Sequence, residues 1–400
     1  MFSNLNKKRV NKRYVPKLRF KGFEREYKEI KISDVSEFYK GDGYSKKDII
    51  DNGKYEVILY GDLFTTYKNN IEEIKYKTNR IGNKKTRNNS ILFPGSSTSL
   101  NDFFPCCSIK KEVFAGSDLN IFELNINEDS LYYSYCFSKP YHLKNIFRLT
   151  EGSTINHLYG KYISEYKLIV PVQLIEQEEI SSFFNLLDKQ ISLLENKLEL
   201  TEQIKDWIIE FLYKKAKQNK KIRLSEILVP RIVGHIIDLK GYTPISIMLH
   251  GKGFKENTLN VKLTKKGRKY YERFSGDLII GLQNFHNGSI DILNDEYNKP
   301  IMSNAIASFI NKSEYPLIII KYILLSKKHQ QYLINIAEGT GQKEFTINKI
   351  LNSYIWIPTH DLIEKFSKFI KTLELQIRNL QIKKDFLEKN KKYYLDNLFI

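Results

Sequence analysis

The chain repeats itself, and that repeat limits its architecture more than any other feature. Glu151-Gly152-Ser153-Thr154 precedes an apolar segment ending Ile169-Val170-Pro171, and Glu338-Gly339-Thr340 precedes one ending Trp356-Ile357-Pro358, each landmark 187 residues after its counterpart. Beyond the prolines a helical pattern matches again with the offset changed by one. Ile180, Phe183, Phe184, Leu187, Ile191 and Leu194 correspond to Phe366, Phe369, Ile370, Leu373, Ile377 and Leu380. Lys31-Ile32-Ser33-Asp34-Val35 likewise resembles Arg223-Leu224-Ser225-Glu226-Ile227. Solenoid repeats have periods of roughly 20–50 residues, so a unit this long is a duplicated domain. The expected order is a basic tail (1–14), a globular domain (15–171), a long helix (172–220), a second globular domain (221–357) and a second helix (358–400).

Apolar positions 180, 184, 187, 191, 194 and 198, continued by Thr201, alternate steps of four and three, the heptad signature of a coiled-coil seam. The second helix gives 366, 370, 373, 377 and 380, then puts Lys384 on the seam before Leu387. Acids lead each helix (Glu176, Glu178, Glu179; Asp361, Glu364) and lysines close it (Lys214, Lys215, Lys217; Lys389, Lys391, Lys392), which suits the helix dipole. A helix from Leu174 to Lys217 would be roughly 60–70 Å long. A seam facing water over that length would leave many large apolar side chains exposed. The expected packing residues are therefore Ile180, Phe184, Leu187, Ile191 and Leu194 on the first helix and Phe366, Ile370, Leu373, Ile377 and Leu380 on the second, the two helices forming an antiparallel coiled-coil spacer.

Each globular half alternates short β-rich runs with turn signals, which predicts a mixed α/β class. Strands are expected at Tyr55 to Tyr60, Ser90 to Phe93, Asn120 to Leu124, Asp277 to Leu282 and Ser289 to Leu293, and helices at Leu131 to Phe147 and Pro316 to Asn335.

Lysine and arginine number 64 against 46 acids, a net charge of +18, the electrostatic footprint of a protein that approaches phosphates. A chain this rich in Lys, Asn, Ile and Tyr also carries the mark of AT-rich codons. Basic loop clusters stand at Lys84, Lys85 and Arg87 and at Lys262, Lys265, Lys266, Arg268 and Lys269. Such cations contact phosphates, whereas Gln, Asn and Arg read base edges, which singles out Gln283, Asn284 and His286 for readout in the second half. The alternative for that segment is a polar hairpin turn. Ser96, Ser97, Thr98, Ser153 and Thr154, with Thr340, Gln342 and Lys343 in the second copy, offer hydroxyls, small residues and polar groups for close approach of a backbone to DNA.

Other chemistry is sparse. The apolar runs are interrupted before the roughly 20 residues of a bilayer span, and the opening residues lack a hydrophobic core, so a soluble, cytoplasmic protein without membrane contact is expected. Cys106, Cys107 and Cys136 suit neither a disulfide framework nor a zinc knuckle. No Gly-x-x-x-x-Gly-Lys-Ser/Thr loop occurs, no Asp/Asn-Pro-Pro-aromatic element points to a methyl-donor pocket, and the seven histidines lack metal-ligand spacing. Asp62, Glu73 and Lys75 could be drawn together as a Mg-dependent nuclease site, a spacing that chance supplies easily in a chain rich in Glu and Lys. A Mg-dependent DNA endonuclease and a coiled-coil scaffold that binds only proteins are the rival readings.

The opening Val15-Pro16-Lys17-Leu18-Arg19-Phe20-Lys21-Gly22-Phe23, the Pro171 region running into Glu176-Gln177 and on to Leu187-Asp188 and Gln190-Ile191, Gly276-Asp277-Leu278-Ile279, and the terminal Leu395-Asp396-Asn397-Leu398-Phe399 stand in a telling order. In that order, within a duplicated chain, they resemble the DNA-specificity subunits of type I restriction-modification systems. Tyr27 stands where such proteins commonly carry tryptophan, Asn89-Ser90 replaces Gly276-Asp277 in the first half, and the second helix lacks the Glu-Gln pair. The resemblance implies two target-recognition domains reading the halves of a bipartite duplex DNA target. It also implies a helical spacer that docks two modification (methyltransferase) subunits and, with them, ATP-dependent restriction subunits. S-adenosylmethionine, ATP and Mg²⁺ would belong to those partners, leaving this chain a reader without catalytic residues or cofactors.

Overall fold

A computed structural model describes residues 2–4, 14–97, 104–257, 269–337 and 344–400. By contacts the chain divides into two compact units, one made of Met1–Leu194 with Lys383–Ile400 and the other of Glu195–Ile382. The two long helices, α1 (Leu174–Ala216) and α2 (His360–Leu398), therefore each contribute part of their length to each unit. The units thus part within the helices, where the sequence reading placed domain limits at helix ends.

In the first unit five strands lie in the order Ser36–Lys40, Leu119–Leu124, Ser90–Pro94, Cys107–Ile109 and Asn70–Ile71. A smaller sheet orders Phe114–Ala115, Tyr55–Ile58 and Tyr76–Thr78. The second unit repeats the plan with Leu228–Pro230, Ile306–Asn311, Leu278–Gly281 and Ile290–Ile292. Its smaller sheet orders Phe254–Glu256, Thr243–Ile247, Pro300–Ser303 and Tyr270–Glu272. In both units one pair in the smaller sheet is parallel, Phe114 beside Val57 and Thr243 beside Pro300. Both units also close with a short antiparallel ribbon in the same register, Lys31 opposite Lys167 and Arg223 opposite Tyr354. A one-turn helix follows each ribbon strand, its start fixed by a carboxylate that accepts a backbone N–H: Asp34 from Lys31 at 2.7 Å, Glu226 from Arg223 at 2.9 Å. The duplication thus reaches down to single hydrogen bonds.

The helical runs expected as single elements are each two helices. Ser130–Phe137 stops before Pro140, because proline pushes the preceding Lys139 into extended backbone (φ −62°, ψ 133°) and then starts Pro140–Phe147 from its first position. Leu317–Leu325 ends at Ser326, whose side chain accepts the His329 backbone N–H and so opens Lys327–Ile336. Ser130–Phe137 is buried on every side, as an apolar helix inside a core should be.

Each core is built from a sheet, the helix pair behind it and both long helices. In the first unit Ile91, Phe93, Phe122, Tyr132 and Phe137 pack with Ile180, Phe184 and Leu187 of α1 and with Leu398 and Phe399 at the end of α2. In the second, Leu278, Phe309, Ile319 and Ile323 pack with Ile208 and Leu212 of α1 and Ile363, Ile370 and Leu373 of α2. Within the first unit paired contacts run in opposite senses along the helices: Phe183 meets Tyr394 and Asp188 meets Lys391. The three cysteines are buried and unbridged, and burial pushes the Cys107 and Cys136 thiols up to about 12.

His329 carries a measurable consequence of this packing. Its ring is wholly buried between Tyr213 and Tyr332 and neither ring nitrogen has a hydrogen bond to a described residue, so burial lowers its pKa to about 3. The unfolded chain takes up this proton near pH 6.5 and the folded chain near 3, so stability is complete above the first value and falls as pH drops toward the second. Between pH 7 and pH 5 this histidine should account for about 2 kcal/mol of lost stability. Urea unfolding of wild type and His329→Phe at both pH values checks it, the variant being expected to lose that much less.

Candidate nucleic-acid interface

The candidate residues of the first unit gather where its central strand leaves the sheet. Ser90–Pro94 runs into Gly95, whose N–H donates to the Asp118 carbonyl (2.7 Å) and whose carbonyl accepts from Leu158 N–H (2.8 Å). Ser96 and Ser97 then pair antiparallel with His157 and Asn156. That pairing brings the two Gly-Ser segments together, since Ser153 and Thr154 occupy the exposed loop that leads into Asn156. The loop needs its glycine: Gly152 has φ +125°, and a Cβ there would sit 1.9 Å from the Ile155 carbonyl oxygen. The Ser96 hydroxyl is held by the Asp118 carboxylate.

Beside this patch lies a cluster that the sequence reading did not single out. His157 stacks on Tyr159 (6.3 Å, 26°), Tyr159 meets Tyr162 edge-on, and the Lys161 ammonium sits 5.5 and 4.7 Å from the two tyrosine rings. Aromatic faces interleaved with a cation suit unstacked bases and phosphates. The alternation His157-Leu158-Tyr159-Gly160-Lys161-Tyr162 was the available signal.

The basic loop before the central strand is partly committed within the protein. Lys84 N–H donates to Asp42 (2.8 Å), the Lys85 carbonyl accepts from Tyr39 (3.0 Å), and the Lys85 ammonium lies 5.1 Å from the Phe114 ring. Arg87 forms an ion pair with Glu123 at 2.8 Å, and that hydrogen bond raises its pKa. Arg87 thus steadies the strand edge through Glu123 while most of its side chain stays exposed.

In the second unit Gln283, Asn284 and His286 lie in the connection between Leu278–Gly281 and Ile290–Ile292, which turns through a short 3-10 segment with Phe285 buried. The Asn284 carbonyl accepts from Asn287 and Ser289, and its side chain accepts from Asn287 at 3.2 Å, so this residue organises the turn. His286 packs on Phe345 at 6.1 Å. Gln283 and Asn284 border a groove of about 230 Å³ shared with Ser246, Asn257, Tyr270 and Ser303. Lys269 is exposed at the start of the Tyr270–Glu272 strand. Thr98, Lys262, Lys265, Lys266, Arg268, Thr340, Gln342 and Lys343 lie outside the described residues.

The residues behind the motifs are positional. Arg19 and Glu176 form a buried two-point ion pair, joined by the Tyr27 hydroxyl (3.2 Å). Gln177 donates to Glu128 and to the Pro171 carbonyl and accepts the Asp129 N–H. Asp188 accepts from Tyr135 and pairs with Lys391. Asn89 and Gly276, the departure noted between the copies, both have positive φ (122° and 82°), and the Asn89 amide bonds three carbonyls that a glycine would leave to others. All ten seam residues are buried or half-buried, Ile180, Phe184 and Ile370 almost completely. Asp62 is buried, which raises its pKa, while Glu73 and Lys75 are exposed. Among the described residues no three His, Cys, Asp or Glu side chains gather as metal ligands, and no described helix is long and apolar enough to cross a membrane.

A sequence profile described as Type I restriction modification DNA specificity domain matches residues 24–203. No curated protein matches the sequence. Among solved structures, the S subunit of a type I restriction-modification system from M. genitalium shares 15% identity at a TM-score of 0.69, covering 96% of this chain and 99% of that one. The HsdS subunit from Thermoanaerobacter tengcongensis shares 10% identity at a TM-score of 0.41, covering 93% and 96%. Residues 24–203 thus match the type I restriction modification DNA specificity domain, and along its length the chain has the fold of the M. genitalium S subunit.

Proposed function

We propose that this chain is the reader of a type I restriction-modification complex, taking one half of a bipartite duplex DNA sequence with each of its two similar domains. One observation carries the reading: the plan of the segment matched as a DNA specificity domain over residues 24–203, a larger sheet, a smaller sheet with one parallel pair and a closing ribbon, is built a second time in the second unit. Two such domains on one chain give two recognition surfaces, and a net charge of +18 favours their approach to phosphates.

The long helices supply the docking surface for two modification subunits, through which restriction subunits join. Besides its buried seam each helix has an outer apolar row that is left exposed: Leu186, Leu193, Leu200 and Trp207 at steps of seven on α1, and Leu375, Ile382, Phe386 and Tyr393 on α2. Large side chains at such spacing fit partner helices better than water. S-adenosylmethionine, ATP and Mg²⁺ act in the partner subunits, and adenine methylation occurs in the modification subunit on a base turned out of the duplex.

The test is methylation mapping by single-molecule sequencing in a foreign host that expresses the modification subunit with and without this chain. A bipartite methyladenine motif seen only with the chain is expected. Soluble, co-purifying subunits that leave no motif would remove the proposal.

A further inference from the structure

The offset of 187 residues that relates the ends of the two domains also relates their candidate reading segments, although these share no side chain. Gly95 N–H donates to the Asp118 carbonyl and Leu282 N–H to the Ala305 carbonyl; Leu158 N–H donates to the Gly95 carbonyl and Phe345 N–H to the Leu282 carbonyl. Every partner moves by the same step. Ser96 and Gln283 are therefore one position in two copies, and so are Asp118 and Ala305.

The copies differ in chemistry at this position. In the first, the Asp118 carboxylate holds the Ser96 hydroxyl, and a side chain at residue 95 would meet Asp118 Oδ1 at 2.3 Å, which explains Gly95 where the second copy has Leu282. In the second, Ala305 offers no such partner, and the Gln283 amide makes no hydrogen bond to a described residue. It borders the groove of about 230 Å³ whose lining, among the described residues, includes Ser246, Asn257, Tyr270 and Ser303 and no charged side chain. Hydroxyls and amides can contact phosphates as well as bases, but only a base edge offers the paired donor and acceptor that a glutamine amide matches.

We infer that this strand-end position is the base-reading position of each domain: Gln283 reads an adenine by a paired hydrogen bond, and Asp118, steadied by Ser96, accepts from an exocyclic amino group, that of cytosine. This rests on the reader function proposed above and assigns its specificity to two places in the chain. The pairing chemistry follows from donors and acceptors, since an amide matches adenine N6 and N7 and a carboxylate matches cytosine N4.

The same methylation mapping tests it with the assembled complex. Gln283→Ala should relax one base of one half-site, discrimination there falling roughly 5- to 150-fold, with the other half-site unchanged. Ser96→Gln combined with Asp118→Ala should change one base of the opposite half-site and leave the first. The unaltered half-site in each variant reports that the chain still folds and assembles. A clear wild-type motif that both variants reproduce at full stringency overturns the assignment while the reader function stands, and loss of both half-sites together in either variant overturns it in favour of a structural role. Absence of any wild-type motif removes the reader function and this inference with it.

Discussion

Glu176→Ala should destabilise the first unit by about 3–5 kcal/mol, because it strands a buried guanidinium without its counter-charge. The Arg19 and Glu176 side chains are 3% and 1% exposed and meet through two contacts, Nε to Oε1 at 2.7 Å and Nη2 to Oε2 at 2.8 Å. Tyr27, buried against both, donates to the same carboxylate. A single substitution removes the charge and leaves two donors in a dry place. Replacing both partners by apolar side chains of similar volume, Arg19→Met with Glu176→Leu, should recover most of the loss, since the desolvation cost of the pair then disappears as well. Urea unfolding of the two variants separates the cases. A double variant as unstable as the single one would mean that the position depends on shape and not on charge pairing.

Phe184→Ala should cost a similar amount, about 3–5 kcal/mol, by a different route. The ring is wholly buried, with its helix neighbour Phe183 at 5.5 Å, Tyr135 at 5.2 Å and Phe399 at 5.5 Å, so two other stretches of chain converge on it. Deleting it leaves a cavity whose walls are aromatic rings fixed by their own helices, with little freedom to collapse inward. Phe369→Ala on the second helix is the control. That side chain is 49% exposed and its loss should change stability by no more than about 0.5 kcal/mol. Equal midpoints for the two variants would defeat the argument.

The sequence shows the helices well and the recognition surface poorly, for a physical reason. A seam repeats one requirement, an apolar side chain at every third or fourth residue, so Ile180, Phe184, Leu187 and Ile191 announce their burial. The duplicated ends are legible because Pro171 and Pro358 stop equivalent strands. At the reading position, by contrast, equivalence resides in backbone hydrogen bonds that any side chain permits. Gly95-Ser96-Ser97 and Leu282-Gln283-Asn284 occupy one place in the fold without a residue in common. The two broken helices were missed for smaller causes: Lys139 turns because a proline follows it, and Ser326 because its own hydroxyl caps the next helix.

The sharing of α2 between units also sets a clock on synthesis. Leu398 and Phe399 complete a core whose α1 residues, Phe184 among them, leave the ribosome about 215 residues earlier. At about 5–20 residues per second, roughly 10–40 s pass during which the rings of Tyr132 and Phe184 lack the aromatic neighbour at 5.1 and 5.5 Å that will cover them. The second unit is one uninterrupted stretch, Glu195–Ile382, and can close as soon as it emerges. The N-terminal domain should therefore be the later of the two to become protease-resistant on the ribosome, reversing the usual order of a two-domain chain.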